Sequence, residues 1–446
     1  MKHKIIVAAF ALFIPVMTQS LYAQTSKNLS LDDAIQLSIK ASGQLKLGNA
    51  KVDEAIANYH EVWNNHLPDV KVSGTYMRLN SPNVNLKVNL AGSSSDTTKK
   101  AATKPVKVDQ AAYGQVSASL PLFSGFRIKY GAEAAKYLEM AAKLDVEHDK
   151  EEVILNAIKA YSNLYKAKKS VDLVQENLKQ QKQRVADFTN LEKNGLLARN
   201  DLLKAQLQQS NIELSLLDAE NDFTLTYTTM DFMLGLAEGT ELIPDTAGFE
   251  HLANAGTIAQ WEETGLLHRK DISALTYREK ATSSQIKSIK GEYYPGLALT
   301  GGYLAADVPN LLTITNALNI GIGLQYNLGS LWKTAAKIDQ AKARLHQVQA
   351  TQGMLSDQIK IEINQAYRNY LLSLQKIEVY ARAIEQASEN YRITKNKYDN
   401  NLVTTTDLLE ADVAQLQAKL NYAFSKADAF TAYKKLQQVS GTLAGK

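Results

Sequence analysis

Asp407 and Glu410 lie three residues apart, so on a helix both carboxylates face the same way. Such a pair can cap a helix, attract cations, or share acid and base roles. Asp201 and Lys204 occupy the matching positions 206 residues earlier, and Tyr398 lies nine residues before Asp407. No partner for enzymatic work accompanies these acids. The seven histidines form no HExxH or similar metal spacing, and no phosphate-binding glycine loop or GxSxG elbow is present. Binding or conduction is the expectation, not catalysis, and no cofactor is called for.

The 206-residue offset extends well beyond these acids. Ala157, Tyr161, Gly195, Leu196, Asp201 to Leu203, Ala205 and Gly235 recur as Ile363, Tyr367, Asn401, Leu402, Asp407 to Leu409, Ala411 and Gly441 without a gap. Two copies of one structural unit follow, over residues 24–235 and 236–446.

Residues 1–23 read as an export signal, with Lys2 and Lys4, an apolar run from Ile5 to Val16, and small residues ending at Ala23. The mature chain is expected to be exported. There is no cysteine, which excludes disulfides, thiol catalysis and a lipidated N-terminal cysteine. Without the signal, 48 basic residues stand against 46 acidic ones, a balance unlike that of a nucleic-acid binder. After the signal, no stretch reaches the roughly 18 apolar residues of a membrane helix.

Two tracts lack proline, 122 residues after Pro121 and 137 after Pro309. Long helices need such tracts, because an interior proline costs about 3 kcal/mol. Within them the apolar period is seven: Ala157, Leu164, Val171, Leu178 and Val185 in the first copy, and Ile363, Tyr370, Ile377, Ile384, Tyr391 and Tyr398 in the second. The spacing predicts coiled-coil helices over about 126–234 and 332–440, reversing midway. A helix from Phe126 to Asn194 would run roughly 100 Å, longer than an ordinary amphipathic helix requires.

Ahead of each long helix the period drops to two. Leu318, Ile320, Ile322, Leu324, Tyr326 and Leu328 alternate with Asn319, Gly321, Gly323, Gln325 and Asn327, and Val116, Ala118, Leu120 and Leu122 alternate with Gln115, Ser117 and Ser119. Strands are expected at about 70–79, 113–122, 296–305 and 318–328. A half-buried soluble sheet also alternates, but the polar face here is small and uncharged, as in a lumen wall. Four strands cannot close a barrel, so a membrane-spanning reading requires several chains. The first hairpin carries 21 extra residues, in the polar stretch Asn80 to Asp109.

These segments resemble the TolC-type outer-membrane efflux duct family. The pieces that carry the likeness are LSLDDAIQLSI from Leu29, LPDVKVSGTY from Leu67, LPLFSG from Leu120, KNGLLARNDLLKAQ from Lys193, HRKDISAL from His268, YYPGLALTGGY from Tyr293 and NNLVTTTDLLEAD from Asn400. Together they cover nearly the whole mature chain in order. The junction from Leu328 to Lys333 departs from the family's Phe-and-Gly turn. The resemblance implies a mixed α and transmembrane β fold: a homotrimer whose twelve-stranded β-barrel, four strands per chain, continues into a long coiled-coil α-barrel. It further implies an outer-membrane location with the helices in the periplasm. The implied role is a passive exit duct for small molecules, driven by an inner-membrane transporter through a periplasmic adaptor, with outer-membrane lipid around the barrel. A duct for protein secretion would use the same fold. A soluble periplasmic coiled-coil scaffold leaves the alternating strands unexplained.

The helix reversals carry the expected mechanism. Gly195 and Asn401 suit the left-handed residue that ends a helix, while Asn200 and Thr406 offer caps for the returning helices. By the resemblance, Asp407 and Glu410 become stacked carboxylate rings around a three-fold axis, favouring cations at the tunnel mouth. Helix capping is the competing role for Asp407 and Asp201. Tyr398 matches a family tyrosine that bonds across the closed tip, here with Asp201 as acceptor; Lys204 would pair with the acids or face the adaptor. Val403 replaces a family arginine, and Arg199 is a possible substitute. Leu196, Leu197, Leu402 and Val403 would pack within the tip or dock adaptor hairpins.

Overall fold

The computed structural model describes residues 26–80, 82–84, 106–245, 249, 254–309 and 311–444. The expected signal and most of the long first hairpin loop lie outside these residues. In chain order the elements are β1 (Lys27–Leu29), α1 (Leu31–Ala41), α2 (Gly43–Asn64), β2 (Asp69–Arg78), β3 (Asn83–Val84), β4 (Val106–Lys107), β5 (Gln110–Phe123), α3 (Arg127–Lys193) and α4 (Arg199–Leu234). There follow β6 (Leu242–Pro244), α5 (Ile258–His268), α6 (Lys270–Lys290), a 3-10 turn (Gly291–Tyr293), β7 (Gly296–Val308), β8 (Leu312–Gln325), α7 (Ser330–Asp399) and α8 (Thr405–Val439).

The chain divides into two compact units, and each draws on both halves of the sequence. One comprises residues 1–42, 153–255 and 366–436; the other comprises 43–152, 256–365 and 437–446.

In the first unit the heptad row is the core. Ala157, Leu164 and Tyr370 are fully buried and Val171 and Leu178 nearly so, each large side chain contributing about 1.5–3 kcal/mol of burial. The Tyr161 hydroxyl is shared between the carbonyls of Leu29 (3.0 Å) and Asp245 (2.9 Å), fastening the parallel pair β1 and β6 to α3. Strands of three residues show no periodicity, so this pair is invisible in the sequence.

In the second unit a four-stranded antiparallel sheet runs in the order β2-β5-β7-β8. Residues paired across antiparallel strands share a face. Val72, Val116, Tyr303 and Leu318 form one row across all four strands, and Val70, Ala118, Gly301 and Ile320 the next. A third row joins Leu120, Leu299 and Ile322. The register thus gathers the apolar halves of four alternating segments onto one continuous face, left open to the surroundings, with Ile320 81% exposed. The opposite face carries Ser73, Gln115, Ser117, Ser119, Thr300 and Asn319, with Lys71 paired to Asp69 at 2.8 Å. Among the described residues β2 and β8 each have a single neighbour in this sheet, so both edges are free.

The two strand-to-helix junctions differ, as the departure at Leu328 to Lys333 foreshadows. Gly125 and Phe126 both take left-handed backbone. At the second junction the Asn327 side chain accepts the Gly329 N–H at 3.0 Å and the Asn327 carbonyl accepts Ser330, so the turn needs no positive φ.

Candidate functional site

The two helix reversals, both within the first unit, are built alike. The N–H of Leu196 donates to the Leu191 carbonyl and that of Gly195 to Glu192, both at 2.9 Å, with Gly195 at φ 73°. Leu402 donates to Lys397 and Asn401 to Tyr398, again at 2.9 Å, with Asn401 at φ 57°. This six-to-one and five-to-two pattern satisfies the last carbonyls of α3 and α7 through a left-handed residue that only glycine or asparagine adopts cheaply. Both positions were legible from residue type.

The helices return under different caps from those expected. Thr404, not Thr406, precedes α8: its hydroxyl accepts the Asp407 N–H at 3.2 Å, while Asp407 Oδ2 accepts the Thr404 N–H at 2.8 Å and its hydroxyl at 2.7 Å. This is a reciprocal capping box with an aspartate as the second member. The Thr404 hydroxyl and N–H hold the Asp407 carboxyl below its ordinary value. On α4 the cap position falls to Ala198, which has no side-chain bond, and Asn200 lies inside the helix.

Asp201 accepts Lys204 Nζ at 3.4 Å, and the same ammonium donates to the Thr406 hydroxyl at 3.2 Å, tying α4 to α8. The Tyr398 hydroxyl receives its hydrogen bond from Thr405 (3.4 Å) and not from a partnership with Asp201, which acts on it through charge. Tyr398 stacks on Phe188 at 5.6 Å, and burial raises its phenol above the usual value. It therefore belongs to the small core of Phe188, Leu202, Ala205 and Leu408, where Leu197 also packs. Glu410 is exposed, one turn beyond Asp407. Leu196 and Leu402 stand out at 75% and 73% exposed, and Val403 is half-buried. Arg199 reaches Glu192 at 3.5 Å.

One set of residues escaped sequence reasoning. Arg184 donates to Gln181 (2.7 Å), to Asp412 (3.2 Å) and to the Tyr391 hydroxyl (2.8 Å), joining α3, α7 and α8 just behind the turns. Its side chain is 10% exposed and that of Asp412 1%. Gln181, fully buried, in turn donates to the Ala205 carbonyl on α4 at 2.9 Å. Asp412 Oδ1 has no hydrogen-bond partner. A signal existed: the copies diverge here, Arg184 and Asp412 answering to Asn390 and Gln206.

Chemically the tip offers acids, one bridging lysine and exposed leucines, arranged at the helix ends. Such a surface can select charge and bind a partner.

Comparison with known proteins agrees with this geometry. BepC, an outer membrane efflux protein of Brucella suis biovar 1, is 23% identical over 314 residues, which cover 67% of this chain and 66% of BepC. The toxin and drug export protein A of Aggregatibacter actinomycetemcomitans is also 23% identical, over 75% of this chain and 76% of that protein. Among solved structures, the CusC channel superposes with a TM-score of 0.77 at 16% identity, covering 95% of each chain. The family described as Outer membrane efflux protein matches residues 34–236 and 263–442. With that match spanning most of its length, the chain belongs to the outer membrane efflux protein family.

Proposed function

We propose that the protein is the outer-membrane exit duct of a tripartite efflux system, passing small molecules passively while an inner-membrane transporter supplies the energy through a periplasmic adaptor. The observation that carries this reading is the sheet with one continuous apolar face, one small polar face and two free edges. Lipid tolerates no free edge, so copies of the chain must complete a barrel. Three copies give twelve strands. Rows of exposed apolar residues on the long helices support association between copies: Leu207 and Leu214 then Leu225 and Phe232 on α4, and Met354 and Ile361 then Leu372 and Val379 on α7. In both rows the steps of seven are interrupted by one of eleven, a stutter that locally unwinds a left-handed supercoil and lets helices run straight around a tunnel.

At the tunnel mouth, Asp407 and Glu410 from each copy form stacked acidic rings, with Asp201, Lys204 and Tyr398 setting how closely the turns approach. The turns themselves, Gly195 to Leu197 and Asn401 to Val403, are the adaptor-docking tips. The test is native mass spectrometry of the detergent-extracted protein together with single-channel recording. A trimer with cation preference, reduced when Asp407 and Glu410 are both replaced by Ala, supports the reading. A detergent-independent monomer overturns it.

A further inference from the structure

At the helical end of the sheet, three separate segments meet. Gly125 lies so close to Gly291 that an added Cβ would sit 2.3 Å from the Gly291 carbonyl oxygen, and a Cβ on Gly291 would meet Arg127 Cγ at 2.5 Å. Glu292 in turn accepts Thr334 (3.2 Å) and Lys337 (2.7 Å) from the start of α7. Residues 120–131, 287–294 and 327–337 therefore form one collar. They contain six cations, Arg127, Lys129, Lys287, Lys290, Lys333 and Lys337, against the single acid Glu292. All six cations are exposed. Glu292 is occupied by Lys337, which leaves the other five without an ion pair inside the collar.

Aromatic rings alternate with these charges. Lys129 and Lys287 lie 5.9 and 5.5 Å from the centre of the Tyr130 ring, and Phe126 packs between Phe123 (5.3 Å) and Tyr130 (6.4 Å). Trp332 is 67% exposed immediately before Lys333. Along the chain from β8 into α7 the order is an exposed apolar row to Leu324, then Tyr326, Leu328, Leu331 and Trp332, then Lys333. Hydrocarbon, headgroup boundary and phosphate layer want that succession, since indole and phenol rings settle at the boundary and cations at the phosphates.

The geometry points to a phospholipid site: the collar grips the phosphates of anionic phospholipid headgroups in the periplasm-facing leaflet, with Lys129, Lys287, Lys290 and Lys333 as the recognising charges and Tyr130, Phe126 and Trp332 against the upper acyl chain. The inference rests on the sheet spanning the outer membrane. Charge complementarity selects the lipid, because a neutral or zwitterionic headgroup leaves the surplus cations uncompensated. Within reach of the surface, each lysine adds enough attraction that four of them favour an anionic over a zwitterionic lipid by roughly tenfold or more.

The test is native mass spectrometry of the full-length protein in an uncharged detergent, titrated with phosphatidylglycerol or with phosphatidylcholine of the same acyl chains. Phosphatidylglycerol should be retained about tenfold more, and the preference should fall at high salt. The variant Lys129→Gln/Lys287→Gln/Lys290→Gln/Lys333→Gln should bring the two lipids level, while Lys159→Gln/Lys179→Gln/Lys360→Gln/Lys376→Gln, which removes four exposed lysines from the coils, should keep the preference. Equal retention of the two lipids by the unmodified protein, a preference indifferent to salt, or a preference surviving in the collar variant would each overturn the proposal. Retention of neither lipid would also overturn the proposal, whereas extraction of the protein without detergent would overturn the membrane reading beneath it.

Discussion

Asp407 Oδ2 lies 2.8 Å from the N–H of Thr404 and 2.7 Å from its hydroxyl, so the acid proposed for the tunnel mouth also holds the first turn of α8 together. A carboxylate bonded in this way titrates below its ordinary value, and the stabilisation it brings is present above the unfolded pKa and disappears as pH falls through the folded one. Thr404→Ala should therefore move loss of cation preference to higher pH, toward that of an unbonded aspartate. Conductance recorded against pH checks this. An unchanged titration would mean that Thr404 does not govern the Asp407 charge.

Arg184 and Asp412 form a buried charge pair, and removing one partner strands the other. Arg184→Ala or Asp412→Ala should destabilise the tip by about 3–5 kcal/mol, whereas Arg184→Met with Asp412→Leu should recover most of that loss. Hydrogen exchange in the first turns of α4 and α8 would report both effects. If the double variant exchanges as fast as the singles, the pair contributes more than its own desolvation.

Glu151 on α3 is buried beside the backbone of Ala444, and burial pushes its carboxyl up to about 7 despite the N–H that Ala444 offers it. Its folded pKa exceeds the unfolded one, so the native state binds the extra proton, and stability falls as pH rises from about 4.5 through about 7. Glu151→Gln should flatten this slope and raise the melting temperature above neutrality. Thermal unfolding at mildly acidic and mildly alkaline pH provides the comparison.

Leu196 and Leu402 are exposed while Leu197 packs against the core cluster of Phe188, Leu202, Ala205 and Leu408. Leu196→Ser with Leu402→Ser should leave melting unchanged and weaken crosslinking to the proposed adaptor; Leu197→Ser should lower the melting temperature. Undiminished crosslinking in the double variant would remove these leucines from the docking surface.

Much of this arrangement is legible in the sequence because it depends on period and residue type. Period seven marks α3 and α7, period two marks the sheet, and Gly195 and Asn401 announce their left-handed turns. The cap of α8 was misplaced for a local reason. Thr404, Thr405 and Thr406 are chemically equivalent, and only the backbone geometry after Asn401 decides which one precedes the helix. The Arg184 network was missed for a tertiary reason, since Tyr391 and Asp412 lie more than 200 residues from Arg184 and a heptad pattern treats inward positions as apolar. The collar was hidden similarly: its cations come from three segments that look unremarkable singly.

The free edges of β2 and β8 bear on how such a protein is made. A lone chain would carry its apolar sheet face and both unpaired edges through an aqueous compartment before meeting its copies. If copies complete the barrel as proposed, barrel formation and association become a single concentration-dependent event, in which a chain waiting for partners is vulnerable to proteolysis or aggregation. Inheritance follows the same logic. A variant that assembles but cannot open would spoil every complex it joins, so its defect would be genetically dominant, whereas a variant unable to pair its edges would be silently lost.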